Sequence, residues 1–130
     1  MKRDGSFLQE RWRSIGYALA GLRDILKTEH NAWVHAFCTV AVLGLAFYLG
    51  LDEVRFLIIV IFIALVWMAE AFNTVLELVI DIVSPEYCET ARRAKDIAAT
   101  AVLFAAAGAL IAGVVILGPP LLARLGLAAG

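Results

Sequence analysis

Neither sign of charge dominates this sequence. Eleven basic and twelve acidic side chains leave a formal net charge of −1. With no basic excess, and no basic residues interleaved with aromatics, nucleic acid is excluded as a partner. Cysteine is scarce. Cys38 falls in an apolar segment and Cys88 in a polar connection. Those positions predict hydrocarbon for one and the cytoplasmic side for the other, so no disulfide is expected between them. Both read as packing or surface residues. Neither a Walker A motif nor a GxGxxG occurs, which excludes the familiar soluble nucleotide-binding schemes. The N-terminus does not read as a secretory signal, because charges recur through residues 2–29 without a continuous apolar core.

What the chain has in abundance is apolar side chains. They make up 62% of the residues, and the mean hydropathy is +0.86. Soluble domains are nearer half apolar. At 130 residues there is room for one membrane unit and no separate soluble domain. Residues 6–28 predict an amphipathic helix. Leu8, Trp12, Ile15, Leu19, Leu22 and Leu26 recur at alternating steps of four and three. Basic residues and a Trp beside such a stripe suit a helix lying in the headgroup zone.

Three membrane spans are then predicted, at 32–50, 54–83 and 97–118. The first is uncharged, with Trp33 and Tyr48 at belt positions near its ends. Its His35 reads as a packing or headgroup contact, and His35 with Cys38 is too sparse for a metal site. Leu51-Asp52-Glu53 predicts a tight connection. The second span is uncharged from Phe56 to Ala69, and its helical pattern continues to about Val83. Ser84-Pro85 predicts a stop and a restart, with Ser as N-cap and Pro at the first helical position. Glu89–Arg93 and Arg92–Asp96 are four apart and predict ion pairs on a solvated helix end. In the third span Ala101, Ala105, Ala109 and Gly113 form a small-residue stripe that permits close helix contact. Gly118-Pro119-Pro120 predicts its end. The basic residues concentrate before span one and between spans two and three. This predicts a cytoplasmic N-terminus and an external C-terminus.

The chemistry concentrates in Trp67 to Ser84. Glu70, Asn73, Glu77 and Asp81 fall within an arc of about 80° on one helical face. Carboxylates beside a membrane-length apolar run are costly and are functional candidates by default. The same cytoplasmic layer collects Glu29, Glu86, Lys95 and Asp96. Carboxylates with an amide suit magnesium, and a lysine suits a phosphate oxygen. Glu70 lies deepest. Partial desolvation makes a carboxylate a better proton acceptor, so Glu70 is the candidate general base. Base, metal carboxylates and lysine are what phosphoryl transfer from a metal-bound nucleotide requires. Two other readings stand beside this one. The first is an ion- or proton-handling protein, for which acids should continue across the bilayer. The second is a small packing subunit, which leaves Glu70 unexplained.

The spaced set Glu70, Asn73-Thr74, Glu77 and Asp81 is followed by Ser84-Pro85-Glu86-Tyr87 and Ala94-Lys95-Asp96. Gly21-Leu22-Arg23 and TEHNAWVH at 28–35 lie upstream. Together, over roughly residues 7–117, they resemble the prokaryotic diacylglycerol kinase/undecaprenol kinase family. The resemblance implies an all-α membrane protein, with an N-terminal surface helix and three transmembrane helices in a homotrimeric bundle. It implies Mg-ATP as phosphoryl donor, a membrane lipid alcohol as acceptor, and sites shared between neighbouring subunits. By position, it implies Glu70 as base and Glu29 and Glu77 as metal ligands. Asn73, Lys95 and Asp96 match positions around the nucleotide phosphates, and Tyr17 and Glu86 match nucleotide contacts. It leaves open whether Arg11 or Arg13 touches ATP, and it assigns no role to Asp81. Asn31 and His35 within TEHNAWVH resemble the undecaprenol-preferring branch. Ala99 stands near the lipid, where the diacylglycerol-preferring branch tends to have a serine. The implied location is the bacterial cytoplasmic membrane, with the site at its cytoplasmic face.

Overall fold

The computed structural model describes residues 7–127, and its elements are helical: α1 (Phe7–Thr28), α2 (His30–Leu49), α3 (Glu53–Val83) and α4 (Glu89–Arg124). No strand occurs among the described residues. The last three are long and apolar enough to cross a membrane. The chain is therefore an all-α membrane protein. Most of the apolar stripe of α1 is uncovered among the described residues, with Leu26 half-buried. Trp12 is 71% exposed and α1 buries no residue. An uncovered stripe of this kind matches a helix resting on the bilayer surface.

Two short corners set the path. Glu29 alone separates α1 from α2, in an extended conformation. Between α2 and α3 the chain turns at Gly50, whose φ of 64° is left-handed and which needs no Cβ there. The Leu51 amide donates to the Ala46 carbonyl, closing the helix end. Asp52 then caps α3 by accepting from the Arg55 amide at 3.0 Å.

The hairpin of α3 and α4 is the main packing unit, and α2 lies against both. At the Gly50 end Ala46, Leu49, Ile59 and Leu117 form a buried apolar cluster. Beside that cluster Phe47 meets Phe56, and toward the other end α2 and α3 meet through Thr39 on Trp67 and His35 on Glu70. Helix α4 comes close to α3 at Gly108, where a Cβ would sit 3.1 Å from the Phe62 ring. Of the small-residue stripe read from the sequence, Ala101 and Ala105 border one groove beside α3, and Ala109 and Gly113 another.

Three sequence expectations are corrected. Gly118-Pro119-Pro120 does not end α4, which continues to Arg124 with both prolines inside it. Gly118 has no Cβ to clash with the following ring, which eases the usual restriction before proline. Leu121 packs on the buried cluster, and the Arg124 guanidinium lies over the Tyr48 ring at 5.3 Å. These contacts hold the last turn although the carbonyls of Val115 and Ile116 lose the N–H partners that prolines cannot supply. Ser84 does stop α3, but the restart is at Glu89 with Cys88 as N-cap. Glu89 pairs with Arg92 at 2.6 Å in place of Arg93, while Arg92–Asp96 forms as expected at 2.7 Å.

Gly108→Leu is expected to destabilise the chain by about 1–3 kcal/mol through overpacking on Phe62, with Gly108→Ala nearly neutral. Thermal unfolding in detergent measures both. The two cysteines generate a second test. The backbone N–H groups of Ala91 and Thr90 at the start of α4 hold the Cys88 thiol below the usual thiol range. Cys38 sits in α2 beside an apolar cavity. A charged maleimide should label Cys88 at least about tenfold faster than Cys38 in intact bilayers. The Cys88 rate should fall off only at a pH below that of a free thiol. Equal rates would contradict both placements.

Candidate functional site

The long α3 creates the site. At 31 residues it rises roughly 46 Å, against about 30 Å of hydrocarbon. Its C-terminal turns therefore extend beyond the apolar layer, and its polar face straddles the boundary. Glu70 is the deepest member and is 2% exposed. One turn on, Asn73 is buried and its Nδ2 donates to Glu77 Oε1 at 2.9 Å. Thr74 donates through Oγ1 to the Glu70 carbonyl at 3.0 Å. The Asn73–Glu77 bond orients one carboxylate oxygen and leaves Asn73 Oδ1 buried without a partner. Hard oxygen donors of this kind suit magnesium.

The remaining sequence candidates are spread around this pair. Glu29 is half-buried at the α1–α2 corner, beside the Thr28 hydroxyl. Among the described residues no three His, Cys, Asp or Glu side chains gather as a metal-binding group. The single chain therefore does not draw Glu29 and Glu77 into such a cluster. Lys95 is half-buried and forms an ion pair with Asp81 across the α3–α4 hairpin. This gives Asp81 a role the sequence did not supply, as counter-ion to the lysine read as a phosphate holder. Asp96 is exposed and held by Arg92. Arg92 also grips Glu89, which keeps the Glu89 carboxyl below its usual range. Glu86 is exposed in the α3–α4 connection, where its carbonyl accepts from Ser84. Ala99 is exposed on α4, beside buried Ala98. Tyr17 is exposed on α1 and accepts from the Arg13 guanidinium at 3.2 Å, which lowers the phenol and raises the guanidinium from their usual values.

One residue was underrated by the sequence reading. His35 is no simple packing residue, because its Nε2 lies 3.5 Å from Glu70 Oε2. The Trp67 ring meets it edge-on at 6.3 Å, and Trp67 Nε1 donates to Thr39 Oγ1 at 3.0 Å. A signal for this was present. Asn31, His35 and Thr39 recur every four residues in an uncharged span, which places them on one helical face.

Below His35 an apolar cavity of about 550 Å³ runs between α2, α3 and α4, from Val34 to Leu121. The site thus sets a buried carboxylate between an apolar space and a wet, oxygen-rich face. Such a boundary can bring a lipid-borne hydroxyl to a water-soluble phosphoryl donor.

Comparison with known proteins bears on that chemistry. The family model for prokaryotic diacylglycerol kinase matches residues 16–117. A Synechocystis protein named diacylglycerol kinase is 42% identical over 110 residues, covering 84% of this chain. The chain spans 63% of that relative's length. An undecaprenol kinase of Bacillus subtilis is 32% identical over 114 residues, covering 88% of this chain and 93% of the relative. A diacylglycerol kinase of Escherichia coli is 29% identical over 105 residues, covering 81% and 86%. The matched segment contains Glu29, Glu70, Asn73, Glu77 and Lys95, and the chain belongs to the prokaryotic diacylglycerol kinase family of membrane lipid kinases.

Proposed function

We propose that this chain transfers the γ-phosphate of ATP to the hydroxyl of a membrane lipid, with undecaprenol as the acceptor and undecaprenyl phosphate as the product. The observation that carries the reading is the buried Glu70 above the Asn73–Glu77 pair on a single helix. Glu70 takes the hydroxyl proton as the lipid oxygen attacks the γ-phosphorus. The bond from that phosphorus to the bridging oxygen breaks, and ADP leaves. Glu77 and Glu29, with the free oxygen of Asn73, would hold Mg²⁺, which neutralises phosphate charge when bound. Lys95 holds a phosphate oxygen, balanced by Asp81. Asp96, Glu86 and Tyr17 border the nucleotide, and Ala99 faces the lipid. The uncharged stretch from Phe56 to Ala69 supports this over an ion path, which needs acids deeper in the membrane.

The working unit in this reading is a homotrimer with sites shared between copies. That arrangement would let a neighbouring chain supply Glu29 to the Glu77 of the next. The site faces the cytoplasm in this reading, in keeping with Lys and Arg concentrated before α2 and in the first turns of α4.

The acceptor rests on Asn31, His35 and Ala99, which follow the undecaprenol-preferring pattern. The 42% identical Synechocystis relative is named diacylglycerol kinase, and this favours diacylglycerol, giving phosphatidic acid, as the second reading. Both lipids offer a primary hydroxyl, so the chemistry is shared.

Membranes given γ-labelled ATP and each lipid in parallel should label undecaprenol faster than diacylglycerol. The reverse order would assign the second acceptor. Glu70→Gln should lower turnover at least about 100-fold with Mg-ATP binding retained. Turnover at the wild-type rate would remove Glu70 as base. Glu77→Ala should weaken Mg-ATP binding as well as turnover. Loss of turnover with binding intact would count against its metal role.

A further inference from the structure

A buried carboxylate that works as a base needs something to aim it. Asn73 aims Glu77, but the side-chain polar group that approaches the Glu70 carboxylate within the described chain is His35 Nε2, at 3.5 Å from Oε2. That nitrogen is buried and has no hydrogen-bond partner. Trp67 meets the imidazole edge-on, and Trp67 is itself held by the Thr39 hydroxyl one turn along α2. The cavity wall that α4 contributes beside His35 is apolar, formed by Ala106, Ala109 and Leu110. An unpaired imidazole nitrogen in such surroundings is costly unless a partner arrives. Hydrogen bonds in empty catalytic sites are commonly long and tighten when substrate binds.

We infer that His35 is a positioning residue: its Nε2–H donates to Glu70 Oε2, holds the carboxylate in one rotamer, and leaves Oε1 to accept the proton of the lipid hydroxyl. This rests on the reading of Glu70 as base. It also gives His35 and Thr39 a common task. Thr39 braces Trp67, Trp67 braces His35, and His35 aims Glu70. The neutral imidazole with its hydrogen on Nε2 suffices, so no net charge has to be buried beside the carboxylate.

The alternative is that His35 fills space against Trp67, and two replacements separate the roles. Leucine keeps apolar bulk and removes the N–H. Glutamine places an amide N–H near the position of Nε2. For a positioning role, His35→Leu should lower kcat at least about tenfold with KM for Mg-ATP unchanged, and His35→Gln should restore most of the loss. Both variants are checked for folding by their detergent melting temperature. His35→Ala serves as the second apolar variant if leucine does not fold. Wild-type turnover in the apolar variant would overturn the inference. So would equal loss in His35→Gln and His35→Leu, or a loss confined to KM for Mg-ATP. The Glu70→Gln variant tells the two failures apart. If it is inactive while His35→Leu is unimpaired, only the role of His35 falls. If Glu70→Gln is active, the base assignment falls with it.

Discussion

The structure depends on a carboxylate taken out of water. Glu70 is 2% exposed, directly after the uncharged run of α3 from Phe56 to Ala69. Burying a carboxylate carries a penalty of several kcal/mol that geometry must offset. Most of the polar architecture follows from that penalty. Helix α2 brings an imidazole to it, and α3 stacks an amide and a second carboxylate below it toward water. The α3–α4 hairpin then places a lysine and an aspartate at the wet end. A chain selected for stability alone would place Leu at position 70. In the proposed function, the acid marks where the fold gives up stability for chemistry.

The division of the α3 face follows depth. A helix longer than the hydrocarbon is thick must leave part of itself in the headgroup layer. Here that part carries Glu77 and Asp81, and the part still inside carries Glu70. A single rigid element thus spans the change from lipid to water, and the helical rise sets the separation of its groups. No loop has to order before the deep and shallow groups stand in register. At the wet end Lys95 and Asp81 are both solvent-accessible, and their pairing is of the exposed, weakly stabilising kind.

Much of this could be read from residue order, because membrane helices obey local rules. The uncharged runs, the acidic face at steps of three and four, the turn before Asp52 and the stop at Ser84 are all short-range signals. What escaped the sequence depended on contacts distant along the chain. His35 and Glu70 are 35 positions apart, and nothing local to either reveals the other. Asp81 found its partner on the next helix, beyond the reach of a single-helix pattern. The end of α4 was misjudged for a related reason. Two prolines argue locally for a stop, but Leu121 against the buried cluster and Arg124 against Tyr48 argue otherwise. Glu29 remains apart from Glu77 in the single chain, and spacing within one sequence carries no information about a neighbouring copy.

The double proline in α4 has a consequence for where the protein sits. The Val115 and Ile116 carbonyls, stripped of their helical donors, are tolerable where water reaches them and expensive in hydrocarbon. Charged Lys95 imposes the same demand near the opposite end of the helix. From Lys95 to Val115 the helix rises roughly 30 Å, against about 30 Å of hydrocarbon. With one polar marker at each boundary, α4 cannot slide by a turn in either direction without drawing one of them into lipid. Leu117 and Ile59 couple α4 to α3, so the same markers fix the height of Glu70. The two prolines act as a depth gauge for the helix pair that carries the buried acid.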